Sequence, residues 1–185
     1  MSSAPRQTLH ERVKAAILEA AARVLAERGE QASMADVAAG AGVARATVYR
    51  YFPNRQALLD ALADVGLDQA EARLADARLD QVSVEQAIER AVRALMDVGE
   101  TFIVLTRARA RPDPDFDRRI VVPLRKLVER GQAEGRIRAD IPASWLTESL
   151  LGLVASALLA SPPLGAEDAI TATTRVFLDG TLVRA

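Results

Sequence analysis

Apolar positions along this chain recur at spacings of three and four, and nothing alternates apolar with polar for long enough to make a strand. Val13, Ile17, Ala20, Ala21, Val24 and Leu25 fall on one stripe, with Glu19, Arg23 and Glu27 opposite. The spacing predicts an amphipathic helix that stops at Gly29, after a last turn containing Arg28. Ser33 and Asp36 then form an S-x-x-D capping box for a short helix to about Ala39. The linker GAGV leads to a second short helix at 44–51, which Pro53-Asn54 closes, and Asn54 caps a longer helix striped by Leu58, Leu59, Leu62, Val65 and Leu74. Further helices are expected near 83–101, 102–110, 114–134, 142–160 and 166–182. They are punctuated by Arg-Pro-Asp-Pro-Asp at 111–115, by Gly135 and by Ser-Pro-Pro at 161–163. Pro123 falls inside a helical pattern, which predicts a kink or a late start there. The reading is all-α, about nine helices, with no repeat.

The two short helices carry a specific geometry. Two helices of roughly two turns, joined by a tight glycine-containing turn and preceded by a longer helix, are what a helix-turn-helix requires. Ala38 lies where the pair comes closest, and Gly42 supplies the positive φ of the turn. Val43, Val48 and Phe52 share the inward face of the second helix, which leaves Arg45, Ala46, Thr47, Tyr49 and Arg50 on the other. A DNA major groove admits such a helix. Arginine pairs bidentately with guanine there, and small side chains meet the thymine methyl. An ordinary solvated helix is the bland alternative. Against it stand a surface tyrosine and the lack of any acidic residue from Val37 to Leu59.

Charge sharpens this picture. The whole chain has a net charge of −1, but residues 1–55 hold eight Lys or Arg against five Asp or Glu, so the N-terminal part is basic and the remainder acidic. Such asymmetry suits a basic end that meets an anion. With 50% hydrophobic and 26% charged residues, the composition is that of a folded chain. The absence of cysteine removes disulfides and thiolate chemistry. The charged opening MSSAPRQTLHERVKAA does not read as a signal peptide, and the most apolar run, Trp145 to Ala160, is sixteen residues long and contains Glu148. A cytoplasmic protein is expected, with no membrane partner.

Residues 12–62, above all SMADVAAGAGVARATVYRYFPNRQALLDAL, resemble the DNA-binding domain of the TetR (tetracycline-repressor-like) family of bacterial transcriptional regulators. The resemblance rests on Ala38, Ala41, Gly42, Val43, Thr47, Tyr49, Tyr51, Phe52, Arg55 and Leu58, and covers a little over a quarter of the chain. It implies an all-helical, Ω-shaped homodimer whose N-terminal three-helix domains enter successive major grooves of a palindromic operator in double-stranded DNA. It also implies that Arg45, Ala46, Thr47, Tyr49 and Arg50 lie in or beside the groove, and that Tyr51, Arg55 and the helix start at Ser33 hold phosphates. Phosphate contacts set register and salt-dependent affinity, whereas base contacts set sequence preference. The family often has serine or threonine where this chain has Ala44, so a capping hydroxyl worth about 1 kcal/mol is missing.

Residues 1–55 are thus expected to form the DNA-binding domain and 56–185 a larger effector-binding and dimerisation domain. The helix at 142–160 is apolar over most of its circumference, so it is either a central core helix or part of a subunit interface. The interface candidates are Leu151, Gly152, Ala155, Leu158, Leu159, Val176 and Phe177, and the resemblance implies a four-helix bundle between symmetry mates. Met96, Phe102, Leu105, Leu124, Leu127, Val128 and Trp145 are candidates to line an effector pocket, or else ordinary core. Arg107, Arg109 and Arg111 attract an anionic effector or are simply solvated; residues two apart do not share a helix face.

The leading function is a one-component regulator, usually a repressor, released from DNA by a small molecule. The alternative is a helix-turn-helix protein without an effector, acting through a protein partner. Catalysis is not expected. His10 is the only histidine, placed in the N-terminal arm as a phosphate contact or a solvated residue, and no second histidine or cysteine exists for a triad or zinc site. No cofactor and no metal are called for.

Overall fold

The computed structural model describes residues 8–99, 101, 114–161 and 163–183. Its helices are α1 (Leu9–Arg28), α2 (Met34–Gly40), α3 (Arg45–Tyr51), α4 (Arg55–Asp76), α5 (Val84–Met96), α6 (Val122–Ala133), α7 (Ala143–Leu158) and α8 (Ala166–Thr181). Among the described residues the only β pairing is an isolated bridge between Ile137 and Leu182, so the fold is all-α as expected. No helix among them is long and apolar enough to cross a membrane. The helix expected at 102–110, with Phe102, Leu105, Arg107 and Arg109, and Arg111 beyond it lie outside the described residues.

The local signals act as anticipated, with two additions. Ser33 accepts from the Asp36 backbone N–H at 3.2 Å and Asp36 accepts from the Ser33 N–H at 2.9 Å, closing the capping box of α2. Asn54 accepts from the Ala57 N–H at 2.8 Å and caps α4. A second capping box, Thr8 with Glu11, starts α1; the T-x-x-E pattern was legible in the sequence. Helix α5 ends at Met96, earlier than expected, because the turn Asp97–Gly99 closes it, with the Gly99 N–H donating to the Met96 carbonyl at 2.9 Å.

Pro123 shows how a helix absorbs a missing donor. A short helical turn, Pro114–Phe116, passes into a π-helical stretch, Asp117–Val121, before α6 begins with Pro123 as its second residue. The Val122 N–H reaches back five residues to the Asp117 carbonyl. One widened turn thus lets the proline ring enter α6 at a position where no N–H is needed. The π segment is held to α4 by Arg119, whose Nε donates to Glu71 at 2.6 Å and Nη2 to Asp68 at 2.6 Å.

The chain forms two compact units, residues 1–65 and 66–185. This division lies ten residues beyond the expected boundary because the first turns of α4 belong to the first core: Leu58 and Leu62 are 2% and 1% exposed, and Leu58 closes a small gap with Leu25, Met34 and Val37. In the second unit, α5 buries Val84, Ile88, Val92 and Leu95. Leu124 and Val128 of α6, Leu150 and Val154 of α7, and Ile170 and Phe177 of α8 complete the core. Gly131 is required by close approach: a Cβ there would stand 2.6 Å from the Ile137 side chain and 2.9 Å from that of Val84.

Candidate nucleic-acid interface

The turn between α2 and α3 is built from backbone. Gly42 adopts φ 65°, open to glycine at no steric cost, and the Val43 N–H donates to the Ala38 carbonyl at 3.0 Å. Ala38 is buried at this crossing. Ala44 stands at the N-cap of α3 without a side-chain cap, so the start of the helix is held only by backbone bonds from Thr47 and Val48 to the Ala44 carbonyl at 2.8 and 3.4 Å. Val48 and Phe52 point inward, 0% and 3% exposed. Burying two such side chains contributes roughly 1.5–3 kcal/mol each, which fixes the rotation of a helix only seven residues long.

That rotation turns Arg45, Ala46, Tyr49 and Arg50 to solvent, with Thr47 half-buried. Arg45 and Tyr49, one turn apart, interact directly: Nη2 donates to the phenol oxygen at 3.4 Å and the guanidinium lies 5.5 Å from the ring centroid. The contact favours the charged form, and the Arg45 pKa is raised, first by the hydrogen bond that its guanidinium donates to Tyr49. The carboxylate nearest in sequence to this surface, Asp36, is held at 2.6 Å by Arg28. Its pKa is lowered, first by the Ser33 hydroxyl, then by the Ser33 backbone N–H, with Arg28 adding to it. The exposed face therefore carries two arginines and, from Val37 to Leu59, no acidic residue, as phosphate binding needs.

The residues expected at phosphates differ in their surroundings. Tyr51 is half-buried, with the Arg50 guanidinium 5.5 Å from its ring centroid. The Ser33 hydroxyl donates to Asp36 at 2.6 Å, so it is committed to the cap. Arg55 is half-buried and donates to the Ala32 and Gly29 carbonyls at 3.4 Å each, ordering the loop between α1 and α2. This structural role was invisible in the sequence because its partners are main-chain oxygens more than 20 residues away. His10, expected in the N-terminal arm, lies in the first turn of α1 and stacks on Tyr51 with ring centroids 4.5 Å apart, a contact the sequence did not announce.

In the second unit the pocket and interface candidates separate by burial. Leu124, Leu127 and Val128 are solid core and Met96 is half-buried, but Trp145 is 63% exposed, which corrects its placement in an interior pocket. The first turn of α7 presents the Trp145 ring outward while Leu146 takes the core position. Of the interface candidates, Leu151 and Phe177 are each only 3% exposed and pack inward, whereas Gly152, Leu159 and Val176 are exposed and Ala155 and Leu158 half-buried. Leu127 also borders an open cleft of about 190 Å³ with Leu79, Pro123 and Arg130. Among the described residues no cluster of His, Cys, Asp or Glu is arranged to hold a metal.

A capped three-helix unit that presents an arginine- and tyrosine-bearing second helix of a helix-turn-helix defines a DNA-binding protein. The comparisons agree. A family model described as bacterial regulatory proteins, tetR family, matches residues 17–62. Over 136 residues the chain is 34% identical to the HTH-type transcriptional repressor LfrR of Mycolicibacterium smegmatis (strain ATCC 700084 / mc(2)155), which covers 73% of this chain and 71% of LfrR. The crystal structure of LfrR from Mycobacterium smegmatis in complex with proflavine aligns with a TM-score of 0.75 at 27% identity, over 96% of this chain and 100% of that one. AibR in complex with isovaleryl coenzyme A and operator DNA shares the fold, with a TM-score of 0.69 at 22% identity over 90% and 98% of the two chains. The chain belongs to the TetR family and is a DNA-binding transcriptional regulator.

Proposed function

We propose that the protein is a repressor that binds a palindromic operator as a homodimer and is released by a small-molecule effector. The observation that carries the DNA half is the exposed α3 face, where Arg45, Tyr49 and Arg50 turn to solvent in a stretch, Val37 to Leu59, that contains no acidic residue. Arg45, Ala46, Thr47, Tyr49 and Arg50 take the groove, Arg45 as the base reader, and Tyr51 and Arg55 add backbone affinity. A homodimer is favoured by the exposed stripe of Trp145, Gly152 and Ser156 on α7 with Leu159 at its C-cap, and by the exposed Val176 on α8. These are apolar and small side chains that a second copy would cover.

The effector half draws support from LfrR, whose structure holds proflavine, and from AibR, whose structure holds isovaleryl coenzyme A with operator DNA. Release follows from linkage. An effector that prefers the state with the wrong spacing of the two reading heads lowers operator affinity, and the operator lowers effector affinity by the same factor. The test is binding to the palindromic site upstream of the protein's own or a neighbouring gene. A salt-sensitive preference for that duplex over its scrambled counterpart supports the reading, and equal affinity for the two defeats it.

A further inference from the structure

We propose that the cleft between the α4–α5 connection and α6 is a binding site for a small amphipathic carboxylate, a monoanion with a short unbranched apolar tail. The cleft has a volume of about 190 Å³, room for roughly six groups the size of a water molecule. Helix α6 supplies one stripe of its lining, Pro123, Lys126, Leu127 and Arg130, at three- and four-residue spacing. Such a stripe ordinarily packs against another helix. Here the facing element is the short turn Leu79–Gln81, which contributes only Leu79 and Asp80 and leaves the stripe partly uncovered. Leu127 is 4% exposed, and Leu79 and Pro123 are half-buried, so the floor is apolar. The site holds its ligand by its own geometry, whether or not occupancy releases DNA.

The connection that walls the cleft is pinned at both ends. Arg90 Nη1 donates to the Ala77 carbonyl at 3.1 Å, and Arg130 Nη2 donates to the Val82 carbonyl at 3.2 Å. Between them Arg78 adopts φ 46°, the only positive φ outside glycine among the described residues, and starts the turn that carries Leu79. The wall is thus ordered before a ligand arrives, which lowers the cost of binding. Charge then selects the occupant. Lys126 is exposed and makes no ion pair among the described residues. Arg130 Nε is buried without a hydrogen-bond partner, 3.7 Å from a Glu134 carboxylate oxygen, so the guanidinium charge is only partly compensated. In the lining these two cations face the single carboxylate of Asp80. An anion is favoured, but a second negative charge on it would meet Asp80, which selects a monoanion.

The test is calorimetric titration of the full chain, at low ionic strength to limit screening, with hexanoate, butyrate and hexylammonium. Hexanoate should bind at millimolar concentrations or below, and butyrate about tenfold more weakly, as the loss of two buried methylenes requires. Hexylammonium, with the same tail and the opposite charge, should not bind. Two variants at exposed positions should move hexanoate affinity in opposite directions. Lys126→Glu should weaken it at least about fivefold, and Asp80→Asn should strengthen it by about two- to fivefold. No heat from hexanoate at millimolar concentrations overturns the assignment, as does hexylammonium binding as tightly as hexanoate. Hexanoate affinity unchanged in both variants also overturns it, because the ligand then sits elsewhere. DNA plays no part in these measurements, so their failure leaves the reading of α3 standing.

Discussion

Arg55 and Gly29, 26 residues apart, are joined by a hydrogen bond of 3.4 Å from the guanidinium Nη2 to the glycine carbonyl, while Nε of the same side chain reaches Ala32 at 3.4 Å. The side chain that the family resemblance assigns to phosphate thus also ties the start of α4 to the loop between α1 and α2. A lysine keeps the charge but cannot donate from two fixed directions. Arg55→Lys should therefore retain the salt slope of duplex binding and lose about 1 kcal/mol of stability, whereas Arg55→Ala should lose both. Denaturant unfolding followed by circular dichroism, with salt titrations of duplex binding, separates the two roles; an alanine variant as stable as wild type would remove the structural one.

Arg45 and Tyr49 make the second prediction. A guanidinium held over a ring and bonded to its phenol presents fewer conformers to a base edge. Arg45→Ala should relax preference at one base pair of each half-site by about 1–3 kcal/mol. Tyr49→Phe, which keeps the ring beneath the guanidinium, should cost less than Tyr49→Ala at that same base pair. Competition binding against duplexes changed one position at a time would reveal it. If Tyr49→Ala lowers affinity equally for every competitor, Tyr49 acts on backbone and not through Arg45.

Asp36 predicts an acid limb. Its folded pKa is lowered, chiefly by the Ser33 hydroxyl and backbone N–H, so its stabilising effect is present above the ordinary carboxylate value near about 4 and is lost as pH falls below it, through the folded value. Asp36→Asn removes the charge at every pH. Wild type should therefore be the more stable of the two from neutral pH down to about 4, with the gap closing at lower pH. Parallel melts at stepped pH measure it. A gap that widens toward acid would contradict the cap's ionic character.

Which features the sequence disclosed follows from the range of the physics. Caps, turns and the inward face of α3 depend on residues within about four positions, and Ser33–Asp36, Asn54, Gly42 and Val48 all act as the spacing implied. Trp145 was misplaced because helical periodicity cannot choose between two faces of a helix that is apolar almost all round. The same ambiguity mixed the inward Leu151 and Phe177 with the outward Gly152 and Val176. The His10–Tyr51 stack joins positions 41 residues apart in sequence, and no local pattern announces it. The π-helical turn is intermediate: Pro123 signalled a disturbance, but the bonds from Arg119 to Glu71 and Asp68 that hold the widened turn to α4 span 48 and 51 residues of sequence.

Gly152 separates a dimer interface from a merely exposed helix face. A Cβ built there meets nothing within 4 Å in the single chain, and replacing a mid-helix glycine normally gains about 0.5–1 kcal/mol. A lone chain should therefore accept Gly152→Leu without loss. An interface in which α7 approaches its symmetry mate closely should not, because the added side chain holds the helices apart, as overpacking does in any well-packed contact. Sedimentation over a dilution series should show the leucine variant dissociating at protein concentrations at least about tenfold higher than wild type, equivalent to about 1.4 kcal/mol. Trp145, the chain's only tryptophan, is 63% exposed and lies on the same side of α7, so its emission should shift to shorter wavelength as wild type associates and lag behind in the variant. If the variant and wild type sediment alike at every concentration, the small residues of α7 serve some purpose other than admitting a second copy.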